Sequence, residues 1–390
     1  MNLKKTFDRI KLVLINILKQ VLGQVLTLIL SVIIFKWDSK ELWGEFAAYF
    51  IYVNILITII SWGNKEFLIR EFSKAPNKII ENFYLVFNSR LPLLVLAVVA
   101  ALFVFPISCF WFFALWIISV YISQSLEVFW IYKRDYAKSI LLEILSFSGL
   151  VLLLFYNKIN SDKLIEYYSY YQLMRAILYI ILYASELKKL HFAIDKKYFV
   201  TAVSFFLLGL VGFLQSRMDF VIITFFESDQ NVAVYQIITT FFILIHALGT
   251  FLIFPYMKNI YRLQKSSVSV FQRFIAVISP LVVCFCLAVL FLIMHYVYNI
   301  SLDYHYYLLG FLITFPPYLY TVKILILYKE NKQGFILKTG IIAIVINSLA
   351  SILLLYLGYG LKGALMGSAI AHLFTAYQYL THFSTQTQKA

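Results

Sequence analysis

The sequence predicts an all-α integral membrane protein with about 12 transmembrane helices, and three observations carry that expectation. Of its 390 residues, 62% are apolar and only 13% are charged, with a mean hydropathy of +0.84. Soluble chains are roughly half apolar and about a quarter charged, and no globule of this length has enough interior to hide the surplus. The apolar residues also fall into segments of the length a bilayer requires, about 20 residues of helix each. Finally, the 33 Lys and Arg, against 19 Asp and Glu, collect in alternate breaks between those segments.

The twelve segments run over 13–35, 43–63, 83–105, 111–132, 139–156, 167–184, 199–225, 232–256, 273–297, 305–328, 339–357 and 361–383. The stretch before the first is basic, and the apolar run that follows it is too long for the core of a cleaved signal, so the sequence reads as an uncleaved first span. One set of breaks carries Lys4, Lys5 and Arg9, then Arg70 and Lys74, Lys133 and Arg134, Lys188 and Lys189, Lys258 and Arg262, Lys329 and Lys332, and Lys389. The opposite set carries only Lys36, Lys40, Lys158, Lys163 and Lys362. By the positive-inside rule the first set is cytoplasmic, which puts both termini in the cytosol and makes the number of spans even. The expected location is the cytoplasmic (inner) membrane, crossed many times. The positive excess is thereby assigned to topology, and nucleic acid is not an expected partner.

A weak repeat of roughly 190 residues aligns Arg90-Leu-Pro92 in the third segment with Ser279-Pro280-Leu in the ninth, and Trp43-Gly44 with Val234-Tyr235. It predicts two six-helix lobes, 1–190 and 191–390, related by a pseudo-twofold axis along the membrane normal.

Function has to reside in the spans or at their faces, because the breaks are too short for a catalytic domain. No phosphate-binding glycine loop, His-Glu-x-x-His or Cys-x-x-Cys is present, so no catalytic residue, no metal ligand and no cofactor is expected, and the protein is not expected to be an enzyme. Cys109, Cys284 and Cys286 read as small packing residues, and His246 and His295 as satisfied core histidines. Pro316-Pro317 should break the tenth span, and Gly363, Gly367 and Ala371 give the last one a close-packing face. Aromatic clusters at Phe110–Phe113, Tyr167–Tyr171 and Tyr304–Tyr307 suit the outer belt.

Polar residues recur at helical spacing in the first span (Asn16, Gln20, Gly23, Gln24, Thr27, Ser31) and in the seventh (Ser204, Gly212, Gln215, Asp219). They line either a polar cavity or ordinary helix contacts. Five cations fall inside spans: Lys19, Arg90, Arg175, Arg217 and Lys323. Lys19, Arg90 and Lys323 lie near enough to the cytoplasmic face to snorkel, whereas Arg175 and Arg217 do not. Charge in hydrocarbon costs a few kcal/mol, so it needs a partner or a function, and arginine's planar fork suits phosphate. With Gln24, these five are the candidate substrate contacts. Asp219 and Glu127, anions on the polar stripes, are the candidate ion-coupling residues, taking either H+ or Na+.

Trp43-Gly44-Glu-Phe, then Gly63 and Phe67-Leu-Ile-Arg70-Glu71-Phe-Ser73, together resemble a pattern of bacterial polysaccharide repeat-unit (O-antigen) flippases. That family belongs to the multidrug, oligosaccharidyl-lipid and polysaccharide exporter superfamily. Arg217-Met-Asp219 with Val232-Ala-Val-Tyr235 and Pro255 is similar to its pattern after the midpoint, and Asn347-Ser-Leu with Gly358-Tyr-Gly360-Leu-Lys-Gly363-Ala364 to its last two spans. The resemblance implies alternating access and translocation of a polyprenyl-diphosphate-linked oligosaccharide to the outer leaflet, as an antiporter. It also implies membrane lipid as a partner, alongside a polysaccharide polymerase and chain-length proteins. The competing readings are a small-molecule exporter of the same superfamily and a membrane-embedded polysaccharide polymerase or ligase.

Overall fold

The computed structural model describes residues 3–37, 39–156, 160–187, 192–253 and 265–387. Lys158, Lys188, Lys189, Pro255, Lys258, Arg262 and Lys389 lie outside the described residues. The fold is all-helical, and among the described residues ten helical stretches are long and apolar enough to cross a membrane. They coincide with the first to fifth and the seventh to eleventh apolar segments of the sequence. The sixth and twelfth segments are also long helices, of 22 and 28 residues, but too polar to satisfy that test.

The chain divides into two compact units. The first comprises Met1–Leu26 with Glu45–Leu210, the second Thr27–Gly44 with Val211–Ala390. Helix α1 (Leu3–Trp37) and helix α10 (Lys196–Phe226) each contribute to both.

The first unit also contains α2 (Lys40–Ser61, from Glu45 onward), α3 (Asn64–Lys74), α4 (Ile79–Ser89), α5 (Leu91–Val104), α6 (Phe110–Lys133), α7 (Tyr136–Tyr156), α8 (Ser161–Leu182) and the short α9 (Ala184–Leu187). The third predicted span is interrupted. Helix α4 ends at Ser89, Arg90 caps it, and Pro92 lies in the first turn of α5, where a missing N–H breaks no intrahelical bond. Helix α8 packs against both α6 and α7, burying Tyr167, Tyr168, Tyr171, Gln172 and Tyr179. Its polar Ser169 and Gln172 are thus covered by protein and not by lipid. Phe46, Trp116 and Tyr168 form an aromatic cluster with centroids 4.5–6.0 Å apart. The predicted aromatic belt therefore separates into core residues such as Phe113 and Tyr168 and exposed ones such as Trp111.

Between α2 and α3 the backbone turns through two left-handed residues, Trp62 (φ 41°) and Gly63 (φ 66°). The Trp62 ring stacks on Phe206 at 4.0 Å, its indole N–H donates to the Phe199 carbonyl, and its own carbonyl accepts from the Tyr198 hydroxyl. A Cβ on Gly63 would approach Phe205 Cβ to 2.7 Å and Phe206 N to 2.9 Å. Glycine is therefore required there both by φ and by space.

The second unit contains α11 (Asp229–Ile253), α12 (Lys265–Leu292), α13 (Tyr304–Thr314), α14 (Pro316–Lys329), α15 (Gln333–Tyr356) and α16 (Gly360–Thr387). The tenth predicted span breaks at Pro316, as the proline pair demands. Helix α16 lies closest to α15 and also packs on α13 and α14. A Cβ on Gly367 would collide with the Ser351 hydroxyl and come within 2.7 Å of its backbone N, while one on Gly363 would lie 3.0 Å from Leu354 Cβ. The small-residue stripe is thus a packing face. The segment 27–44 is tied into this unit by Ser31 to Tyr298 (2.7 Å) and by Trp43 Nε1 to Gln236 (3.0 Å).

Candidate functional site

The first unit holds four charges in one network, Lys19 and Glu143 buried and Arg175 and Glu127 half-buried. From α1, Lys19 Nζ lies 3.1 Å from Glu143 Oε1 on α7. The same oxygen accepts from Arg175 Nε on α8 at 2.9 Å, and Arg175 Nη2 reaches Glu127 Oε1 on α6 at 2.6 Å. Gln172 accepts from Arg175 Nη1 at 3.4 Å, and the Tyr179 hydroxyl lies 3.4 Å from Glu143 and 2.6 Å from Ser139. Lys19 also sits over the Trp130 ring at 5.2 Å. Two cations face two carboxylates, so the cluster is formally neutral, and side-chain exposures of 6–19% place it away from lipid and bulk water alike. Such a neutral arrangement is what makes buried charge tolerable. The sequence left open whether Arg175 meets water, phosphate or a carboxylate; it meets two carboxylates.

Arg90 is 1% exposed and its donors are all directed at protein. Nη2 donates to Ser125 Oγ at 2.7 Å, Nε to the Val86 carbonyl at 3.3 Å and Nη1 to the Ile60 carbonyl at 3.5 Å, with the guanidinium 4.9 Å from the Tyr121 ring centroid. It does not snorkel; it joins α4, α2 and α6 at the break in the third span. The Gln24 side-chain amide folds back against the carbonyls of Gln20 and Val21 on its own helix.

In the second unit, Asp219 on α10 is 4% exposed and accepts a 2.5 Å hydrogen bond from the Tyr235 hydroxyl on α11. Arg217, two residues earlier, is half-buried and makes no hydrogen bond or ion pair among the described residues. Lys323 on α14 is half-buried beside fully buried Val322. Asp219 lines a cavity of about 30 Å³ together with Ser216, Thr239, Phe242, Ile243, His246, Ile313, Ser368 and His372. His246, expected from the sequence as a packing residue, borders this cavity. His372 is missed altogether: a lone histidine in an apolar run carries no signal until the fold brings it next to His246, ring centroids 6.1 Å apart.

Of the six predicted contact residues, Lys19, Gln24, Arg90 and Arg175 belong to the first unit, where only Lys19 and Arg175 share the network, and Arg217 and Lys323 belong to the second. Of the predicted coupling residues, Glu127 binds Arg175 and Asp219 binds Tyr235. Among the described residues no group of three His, Cys, Asp or Glu has the arrangement needed to hold a metal ion.

No protein-family model and no curated protein sequence matches the chain. Its fold is similar to that of the Lipid II flippase MurJ in an inward closed conformation, with a TM-score of 0.60 and 15% identity over 94% of this chain and 87% of that one. It is also similar to a multidrug resistance MATE family transporter of the MOP superfamily in an inward-facing conformation, with a TM-score of 0.57 and 11% identity over 94% and 96%. At these identities the likeness is one of fold. That fold is used by a flippase and a transporter, and neither neighbour is an enzyme.

Proposed function

We propose that this protein is a flippase of the cytoplasmic membrane that moves a polyprenyl-diphosphate-linked oligosaccharide from the inner to the outer leaflet by alternating access, driven by H+ or Na+. The observation that carries the reading is a fold shared over nearly the whole chain with a Lipid II flippase, in a protein whose second unit holds a membrane arginine, Arg217, with no hydrogen bond or ion pair among the described residues. A half-buried guanidinium that makes no ion pair with a carboxylate among the described residues is suited to an anionic headgroup. Arg217 is the first contact proposed, and Lys323, Lys19, Arg175, Arg90 and Gln24 are the further contacts. Lys19, Arg175 and Arg90 reach a ligand only by exchanging the partners they now hold. Coupling is assigned to Asp219 and Glu127, the buried or half-buried carboxylates that bind Tyr235 and Arg175.

The basic residues grouped in alternate breaks support cytoplasmic termini. The multidrug transporter neighbour favours a second reading, export of small molecules, and one assay separates the two. Proteoliposomes containing the protein are loaded with a fluorescent polyprenyl-diphosphate disaccharide and, separately, with ethidium. Under an imposed pH or sodium gradient the lipid-linked probe should change leaflets, and Arg217→Gln should slow it roughly tenfold or more, the worth of about 1.5–3 kcal/mol for a charge-assisted hydrogen bond. Transport of ethidium alone would refute the flippase reading.

A further inference from the structure

Beside the apolar Phe242, Ile243 and Ile313, the cavity of the second unit is bordered by polar side chains, several of which present acceptors. Ser216 spends its hydroxyl proton on the Phe213 carbonyl at 2.9 Å, and Thr239 donates to the carbonyls of Tyr235 and Gln236 at 2.9 and 3.2 Å. Both oxygens therefore keep only lone pairs for other partners. Asp219 adds a carboxylate. His372, 6% exposed, has an Nδ1 atom with no hydrogen-bond partner among the described residues, and His246 borders the same space. A buried polar atom without a partner is costly and uncommon. These acceptors share about 30 Å³ with two imidazoles, and a neutral imidazole offers one N–H donor where the protonated ring offers two.

We propose that His372 and His246 form a proton-binding site that holds one shared proton opposite Asp219. This deepens the ion-coupling part of the function proposed above by naming the ion as a proton and its carrier as an imidazole pair. With rings 6.1 Å apart, charging one disfavours charging the other, so the pair titrates as a unit. Protonation converts Nδ1 of His372 into a donor toward the cavity, and the Asp219 carboxylate supplies the opposite charge. The other ionisable groups nearby are few. Helix α10 contributes Asp219 to the cavity and carries Arg217 two residues away. Helix α11 contributes His246 and carries Tyr235, which donates to Asp219. Helix α13 contributes only Ile313, and α14 and α15, which pack on α16, contribute no residue, so Lys323 and Lys338 do not border it. Hard cations such as Na+ prefer sites made of oxygen alone, and two imidazoles on the wall count against them.

The test reads proton binding directly, without any transport substrate. The full chain, with ¹⁵N-labelled histidine, is placed in phosphatidylethanolamine–phosphatidylglycerol vesicles, and its imidazole nitrogen signals are followed by solid-state NMR from about pH 5 to about pH 8. His372→Gln and His246→Gln assign the signals. In the unaltered protein both rings should change over one common pH interval and together take up a single proton. Asp219→Asn should move that interval to lower pH by about one unit, a tenfold weaker proton site, and replacing potassium by sodium should leave it in place. Three outcomes would overturn the proposal: no change at His372 across the interval, independent one-proton titrations of the two rings, or displacement of the interval by sodium. If lipid-linked probes are never translocated but the titration appears, the flippase reading fails and the site stands. If translocation follows the pH gradient but His372 does not titrate, the site fails and the flippase reading stands.

Discussion

Glu143 is the hinge of the first unit's charge network, and Glu143→Gln tests whether that network is structural. The carboxylate is 6% exposed and serves two cations, Lys19 at 3.1 Å and Arg175 at 2.9 Å. Neutralising it leaves two cations with Glu127 alone, and Glu127 touches only Arg175. Lys19 then keeps the Trp130 ring and no carboxylate among the described residues. Removing one partner of a buried pair costs about 3–5 kcal/mol. A loss of about 3 kcal/mol, roughly a hundredfold in the unfolding equilibrium, is expected. Glu127→Gln should cost much less, about 1 kcal/mol, because its side chain is 19% exposed and Arg175 retains Glu143. Reversible unfolding in mixed micelles with increasing dodecyl sulfate, followed by far-UV circular dichroism, measures both. The double variant Lys19→Met with Glu143→Gln removes the stranded cation, so it should be more stable than the sum of the singles by about 1–3 kcal/mol. Strict additivity, or an equal cost for Glu127→Gln, would refute the network as drawn.

Other substitutions probe single features. Arg90→Lys keeps the charge but loses the fork that reaches Ser125, Val86 and Ile60 together, so it should cost about 2 kcal/mol in the same unfolding assay. Gly63→Ala should destabilise by about 1–2 kcal/mol from φ alone, and more from its 2.7 Å approach to Phe205 Cβ. Gly212→Ala, where an added Cβ meets nothing within 4 Å, should be neutral or stabilise by about 0.5–1 kcal/mol. On the loop before α13, the hydrogen bond from Lys362 holds the Asp303 carboxyl below its ordinary value, outweighing a small opposing effect of desolvation. The ion pair's contribution is therefore present above about pH 4 and is lost as pH falls through the lowered value. Lys362→Met should flatten that acid limb in a pH series of unfolding midpoints.

The ten apolar helices were legible because apolarity is a local property of about 20 residues. Helices α8 and α16 were placed correctly but read as ordinary spans, although their sequences are the least lipid-like. What makes Tyr167, Gln172 or Ser368 acceptable there is burial against neighbouring helices, which no window on one segment reports. The interruption at Pro316 was legible because proline acts on its own turn. The one at Arg90 was not, since Pro92 gives no warning that a buried arginine will cap the preceding helix.

The site was less legible because charge pairing is non-local. Lys19 finds Glu143 at a sequence separation of 124, and Arg175 finds Glu127 at 48, so counting cations span by span made both seem uncompensated. Their pairing changes what a ligand must do. A phosphate can take Arg175 only by displacing Glu127 or Glu143, and a carboxylate displaced in a buried site is driven to take up a proton. Binding at Arg175 is thus tied to proton uptake, whereas binding at Arg217, which has no hydrogen bond or ion pair among the described residues, displaces no carboxylate. The two arginines that looked equivalent in the sequence are therefore distinguishable by the pH dependence of anion binding in Arg175→Gln and Arg217→Gln variants. Loss of Arg175 should flatten that dependence, and loss of Arg217 should weaken binding at every pH by a similar factor.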